Sequence, residues 1–380
     1  MDFQLTEDQR AFADMAQGLF ADYCADDQLR AHDTSGAPFM QALWEQCVAA
    51  GLHSIVVSEA DGGLGLGMTE LMAVLEQQGK ALALVPLWEQ QLGASALARF
   101  GTGAAKAAVA QALAGEPLAL SLDGLSQTRG LPLTLTATGS GFTLHGSSPA
   151  LPLGGIAQQA LLVADLDGTA RLVWVDLSTS GVTRSTGQSQ HHQDIADLQF
   201  EHVALGADAL LPTQALDWLQ PRAIAALAAL QMGVTQQQLR RTVEYVSERK
   251  QFDRAIGSFQ LVAGQMADGH IALEALRSSV WQLVYRLDAG LGVVPQAHAV
   301  RALANDTGHR VGHMAQHVHG GIGVDLTYPI HRFLYWSRAL AVALGGTEHH
   351  LAALGDWLAN NDNLGWKYDL AEDELPNTPV

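Results

Sequence analysis

Cysteine is almost absent: Cys24 and Cys47 are the only two in 380 residues, with no Cys-x-x-Cys pair and no Cys/His cluster at zinc spacing. A disulfide framework is excluded, and a zinc site of the usual spacing with it. Basic residues are also scarce, 21 Lys and Arg against 39 Asp and Glu, which leaves a formal net charge of −18. Such a chain repels a phosphate backbone instead of binding it through counterion release, so nucleic acids and anionic membrane surfaces are poor partners. No apolar run reaches the roughly 18 residues that suggest a membrane span. The opening Met1-Asp2-Phe3-Gln4-Leu5-Thr6-Glu7 is acidic and lacks the basic stretch and apolar run of a secretory signal. The expectation is a soluble protein of a reducing compartment, the cytoplasm.

What the chain does have is apolar surface, 48% hydrophobic residues with only 16% charged, enough for the cores of two or three domains. Residues 1–115 read as helices. Thr6-Glu7-Asp8-Gln9 has the form of a capping box, with Phe12, Met15, Leu19 and Phe20 following at helical spacing. A further helix is expected from Thr69 to a stop at Gly79. Over 116–212 the period changes: Gly141–His145, Ala160–Ala164 and Leu172–Val175 are rich in branched and aromatic residues and separated by turn formers, which predicts a β domain ending near Phe200 and Val203. Helical periodicity resumes over 213–368, with Pro221 placed as a first helical residue. Four stripes predict a four-helix bundle: Ile224 to Val246, including Val243; Ile271 to Leu287; Val300 to Met314; and Leu351 to Leu358. The remaining 369–380 is an acidic tail, expected to fray.

Three clusters could carry chemistry. In His317-Val318-His319-Gly320-Gly321-Ile322-Gly323 the glycines would let a ligand approach main-chain N–H groups; a helix stop followed by a turn is the plainer account. Glu248-Arg249-Lys250-Gln251-Phe252-Asp253-Arg254, with Phe259-Gln260, could hold a phosphate and stack an adenine, or be a polar helix end favoured by the dipole. Leu344-Gly345-Gly346-Thr347-Glu348-His349-His350 opens the last helix, with Thr347 as its expected N-cap. Neighbouring histidines on a helix diverge and no Glu-x-x-His pair occurs, so no metal is expected there.

In this order, and together with Trp44, Ala50-Gly51-Leu52, Ser58-Glu59-x-x-Gly62-Gly63-Leu64-Gly65 and Ala196–Phe200, these clusters resemble the acyl-CoA dehydrogenase family of flavoproteins over almost the whole chain. The resemblance implies an N-terminal α-helical domain, a middle β-barrel-like domain and a C-terminal four-helix bundle. It implies FAD between the β domain and the bundle, with an arm and a Gly-Gly-x-Gly loop reaching the adenine and pyrophosphate of a cofactor held mainly by a neighbouring subunit. By matching motif positions Arg249, Gln251, Phe252, Phe259, Gln260, Gly320 and Gly321 inherit those contacts, Thr347 matches a residue near the pyrophosphate, and Leu151-Pro152-Leu153 matches the segment along the isoalloxazine ring. His317 stands where the family usually has Gln, with Gln316 one place earlier, and Ser121-Leu122-Asp123-Gly124 replaces the usual signature opening the β domain.

The reaction implied is α,β-desaturation of an acyl-CoA thioester, which needs a carboxylate to accept the α-proton. In most relatives a Glu precedes Gly-Thr at the last bundle helix; here that position is Gly345. A smaller set carries it early in the first bundle helix, at about Ala223 here, with Asp217 and Glu244 the nearest acids. The resemblance therefore points to one half of a heteromeric dehydrogenase, a heterotetramer of the kind used in steroid degradation, whose paralogous subunit supplies the Glu. A homomeric enzyme using Glu348, or a non-catalytic structural or regulatory subunit, are the alternatives. The Gly345 N–H is expected to polarise the thioester carbonyl, a Glu placed at 345 to raise activity, and an electron-transferring flavoprotein to accept the electrons.

Overall fold

The computed structural model describes residues 4–361; the acidic tail lies outside them. The chain begins with α1 (Glu7–Tyr23), α2 (Asp26–Ser35), α3 (Gln41–Ala49), α4 (Met68–Ala81), α5 (Leu87–Phe100) and α6 (Gly103–Leu113). The capping box forms as expected: the Gln9 N–H donates to Thr6 Oγ1 at 3.2 Å and the Thr6 N–H to Gln9 Oε1 at 3.0 Å. Gly79 does not stop its helix. A Cβ there would lie 2.2 Å from the Leu230 carbonyl oxygen, and one on Gly233 would lie 2.0 Å from that of Glu76. The two glycines let α4 and α7 (Gln214–Glu248) pack backbone to backbone, and α4 closes past Ala81, where Leu82 is left-handed at φ 53°.

Strands follow: β1 (Leu118–Ser121), β2 (Leu133–Ala137), β3 (Gly141–Pro152), β4 (Gln159–Leu166), β5 (Thr169–Asp176), β6 (Val182–Gln188) and β7 (Asp194–Gly206). They form one mixed sheet in the order β1-β4-β2-β3-β7-β6, with β5 also on β4. β5 pairs antiparallel along the whole of β4, so β1 and β2 share the other edge of β4, both parallel to it. Among the described residues the sheet is open, barrel-like only in the loose sense, because β6 pairs with β7 alone.

The C-terminal helices are α7, α8 (Gln260–Asp288), α9 (Val294–His319), α10 (Ile330–Val342) and α11 (Thr347–Ala359), with a small hairpin of β8 (Lys250–Gln251) and β9 (Arg254–Ala255) between α7 and α8. α10 adds a helix to the four expected stripes; its Ile330, Phe333, Leu334 and Leu340 are buried at helical spacing. α9 is the hub, packed by α8, α10 and α11. Val243, Ile271, Leu351 and Leu358, expected inward, are exposed. Pro221 lies well inside α7 instead of starting it. There the Arg222 guanidinium stacks on the Trp218 ring at 4.3 Å and donates to the Trp218 carbonyl at 2.8 Å, serving an acceptor in the turn that a proline disturbs.

Two compact units result. Of the described residues, one gathers those up to Leu29, Met72–Ala83 and those from Ile224 onward; the other comprises Arg30–Leu71 and Leu84–Ala223. In the second unit the Trp44 indole N–H donates to the Gly115 carbonyl at 2.8 Å, and α5 packs on α6 and β1. Among the described residues no helix is long and apolar enough to cross a membrane.

Candidate functional site

In the second unit β3 ends at Leu151-Pro152, and the chain turns through Leu153 at φ 61° after Ala150 at φ 48°. Left-handed non-glycine residues cost of order 1 kcal/mol or more each and persist only where the surroundings over-determine them. Here they do. The Leu153 N–H donates to the Asp194 carbonyl at 2.9 Å, the Gly155 N–H to the Asp194 carboxylate at 2.9 Å, and the Ala150 N–H to Asp197 Oδ1 at 2.7 Å. The Arg184 guanidinium donates to the Gly154 and Gly155 carbonyls at 3.2 and 3.3 Å. The segment matched to the isoalloxazine ring is thus a fixed main-chain shelf. Beside it in sequence, Gln193 donates through Nε2 to Glu89 of α5 at 3.3 Å. Glu89 is 3% exposed, and that desolvation pushes its carboxyl up to about 7 against the opposing pull of Gln193. Arg184, Asp194 and Glu89 were not among the expected residues; the visible trace of Glu89 was a charge in an otherwise buried helix.

In the first unit Arg249 joins the end of α7 to the hairpin: its N–H donates to the Tyr245 carbonyl at 2.8 Å, and its own carbonyl accepts from the Ile256 N–H at 2.8 Å. Phe252 and Asp253 form the two-residue turn, both left-handed at φ 53° and 62°, as a tight hairpin demands. Phe252 is 88% exposed at the tip, its ring edge-on to Phe259 at 6.1 Å. The cation stacked on Phe259 is Arg254, at 4.0 Å from the ring centre. Arg249, Gln251 and Gln260 are exposed around this arm, and Phe259 precedes α8 as its N-cap. The hairpin therefore presents one aromatic ring and two guanidinium groups to solvent.

The glycine loop continues directly from α9. Gly320 is left-handed at φ 62°, and a Cβ on either Gly320 or Gly321 would meet nothing within 4 Å, so the main chain here borders open space. His319 turns inward: its ring stacks on Tyr245 at 4.2 Å, approaches Tyr328 at 5.6 Å, and its Nδ1–H donates to the Ala315 carbonyl at 2.8 Å. Burial holds His319 below its usual range, hence neutral. His317 is exposed, whereas the Gln316 amide is turned inward against Gly323, where a Cβ would lie 2.9 Å from Gln316 Oε1.

The third cluster is built on a buried clamp. After α10 the chain passes through Leu344 at φ 58° and Gly345 at φ 85°, then Gly346 caps α11; Thr347, the expected cap, is the first helical residue. The buried Arg301 guanidinium of α9 donates to the Leu340 carbonyl and, at 2.6 Å, to that of Ala343. His350 Nε2 lies 2.9 Å from the Leu344 carbonyl, so Nε2 carries the proton and donates. His350 Nδ1 must then accept, which makes His298 Nδ1, 3.0 Å away, the donor. Burial lowers both histidines, His350 to about 3, so the pair is neutral with one tautomer each. The left-handed turn also folds the Gly345 N–H onto the Val342 carbonyl at 3.3 Å. That amide therefore already has an acceptor within the loop. Arg301, His298 and His350 as a clamp were invisible in the pattern.

Neither expected base position offers a carboxylate. Ala223 is buried, Asp217 is exposed, and Glu244 is exposed in an ion pair with Arg240 at 2.6 Å. Glu348 stands exposed on the first turn of α11, while Gly345 is buried. Among the described residues no group of three or more His, Cys, Asp or Glu is placed to hold a metal.

A helical region, a mixed sheet and a helical bundle carrying an aromatic-cationic arm and an open glycine loop define a flavoprotein dehydrogenase of the three-part type. The comparisons agree: sequence models of the acyl-CoA dehydrogenase N-terminal domain and C-terminal domain match residues 6–116 and 222–359. The chain belongs to the acyl-CoA dehydrogenase family, whose cofactor is FAD. It is 32% identical over 371 residues to the acyl-CoA dehydrogenase FadE27 of Mycobacterium tuberculosis, covering 94% of this chain and 99% of that one. Its fold is similar to a chain of the ChsE4-ChsE5 complex from Mycobacterium tuberculosis, TM-score 0.89 at 31% identity, covering 95% of this chain and 100% of that one. It is also similar to a variant of the Tcur3481-Tcur3483 steroid ACAD, TM-score 0.87 at 32% identity, covering 93% and 98%. The residues present fit a dinucleotide: the space beside Gly320 and Gly321 leaves main-chain N–H groups approachable, and the arm offers Arg249, Arg254 and a bare Phe252 ring.

Proposed function

We propose that this chain is the carboxylate-free subunit of a heteromeric FAD-dependent acyl-CoA dehydrogenase, in which a paralogous subunit supplies the Glu that takes the α-proton. The observation that carries the reading is the third cluster. The loop is held by Arg301 and His350 around a residue with no side chain, and the alternative position at Ala223 is buried and apolar. A loop kept while its carboxylate is gone fits a subunit that shapes a shared site.

FAD, when bound, supplies the acceptor for the hydride leaving the β-carbon. This chain's residues would hold it: Arg249, Gln251 and Phe252 on the hairpin with Phe259 and Gln260 at the start of α8, His317, Gly320 and Gly321 at the end of α9, and Thr347 opening α11. Because the hairpin tip is exposed, its ring and guanidinium groups would serve a cofactor seated largely on the neighbouring subunit. That complex is a heterotetramer in this reading. The substrate is an acyl-CoA with a steroid-derived acyl group, a choice supported by likeness to the Tcur3481-Tcur3483 steroid ACAD. An electron-transferring flavoprotein takes the electrons, and the setting is cytoplasmic.

The test is to purify the chain alone and together with a paralogous partner, record flavin absorbance, and assay electron transfer to an artificial acceptor. Turnover from the mixture alone is expected. A yellow, active lone chain would instead assign the base to this subunit, with Glu348 as the first candidate, and flavin without turnover in any pairing would mark a structural subunit.

A further inference from the structure

α9 carries a run of histidines outside the loop network. His309, His313 and His317 recur every fourth residue, and all three are exposed. Side chains four apart on a helix lie one above the other. The His309 and His313 rings have centroids 4.4 Å apart and planes inclined by 49°. An imidazole lone pair lies in its ring plane, so two inclined rings at this separation can each aim one nitrogen at a common point. Rings stacked nearly parallel cannot; the exposed pair His145 and His202, 4.9 Å apart at 25°, has that arrangement. The charges facing the pair are few. Asp306 is taken up by Arg310 at 2.9 Å, and Arg338 of α10 stands near His313. Partial burial first, then His309 and Arg338, hold His313 below its ordinary value, which favours the neutral imidazole that ligates metals.

We propose that His309 and His313 chelate a borderline divalent cation of the Zn²⁺, Ni²⁺ or Cu²⁺ class, with water completing the coordination. Two protein ligands make an open site, unlike the four of a closed structural zinc centre, and Cu²⁺ should bind more tightly than Ni²⁺ or Zn²⁺. The ion would tie two successive turns of α9, the helix that leads into the Gly320 loop.

The experiment is calorimetric titration of the untagged, chelator-stripped chain, alone and with its partner subunit, with ZnCl₂ and CuCl₂. One ion per chain is expected near pH 7.5, with Cu²⁺ the tighter. Affinity should fall roughly ten-fold or more near pH 5.5, where protons compete with the metal for imidazole nitrogen. His309→Ala and His313→Ala should each weaken binding by about ten-fold or more, and the double variant His145→Ala/His202→Ala should bind as the parent does. Circular dichroism confirms that the variants are folded. Binding that survives both single changes, binding lost with His145 and His202, or no heat of binding at any accessible concentration would overturn the assignment.

Discussion

Glu89 offers the most direct test of the physical reasoning, because its carboxyl is buried in α5, where its own main chain, the Gln193 amide at 3.3 Å and the Trp88 side chain offset only part of the lost water. Its proton is held up to about 7 in the folded chain, against an ordinary value of 4.5. At 1.36 kcal/mol per pH unit, that difference corresponds to roughly 3 kcal/mol. The sign follows from linkage. Below about 4.5 the folded and unfolded forms both carry the proton, and the favourable contribution is whole. As pH rises to about 7 the unfolded chain releases its proton first, so that contribution drains away across the window and stays lost above it. Glu89→Gln keeps the shape and an acceptor for Gln193 while removing the charge. The variant should therefore match the parent near pH 4.5 and exceed it by roughly 3 kcal/mol at pH 8. At about 2.1 cal/mol/K of unfolding entropy per residue over 380 residues, the melting temperature at pH 8 should rise by about 4 °C. Urea or thermal unfolding at several pH values between these limits measures it. Parallel stability curves for parent and variant would falsify the placement of Glu89 as a buried, desolvated acid.

His350→Ala strands the Leu344 carbonyl in the interior and should cost about 1–3 kcal/mol, with partial recovery in His350→Gln, whose amide can still donate; denaturant titration decides it. Phe252→Ala removes a ring that is 88% exposed, so the lone chain should melt unchanged, whereas the flavin absorbance of the assembled complex should fall if the tip serves the cofactor. Gly345 sits at φ 85°, so Gly345→Glu should lose about 1–2 kcal/mol to backbone strain and should not by itself make the lone chain active; unfolding and acceptor-reduction assays report the two effects separately.

The parts of this molecule legible in the sequence are those set by local chemistry. The Thr6/Gln9 box needs only four residues to declare itself, and it formed. The switch from helical to alternating periodicity is a property of short windows, and the strands lie where it occurs. Glycine is harder to read, because the residue suits a helix stop and a close approach equally well. Gly79 serves the second purpose, and only the Leu230 carbonyl opposite it, far along the chain, says so. The same holds for proline at 221, tolerated within α7 where Arg222 reaches back to the Trp218 carbonyl.

The candidate site divides along the same line. Its motif residues could be found by spacing, but the groups that fix them could not. Arg301 looks like any charge on a long helix, and its role depends on the carbonyls of Leu340 and Ala343 arriving from another element. The tautomer of His350 is decided by a backbone oxygen on one side and His298 on the other, so it exists only as a property of the folded arrangement. One consequence reaches the chemistry. A glycine at 345 reads in sequence as an opened space with a spare amide, yet the clamp curls that amide onto Val342. The Gly345 N–H is therefore not a bare donor in the folded chain, and a thioester carbonyl polarised by it would have to share it with the Val342 carbonyl or displace that contact.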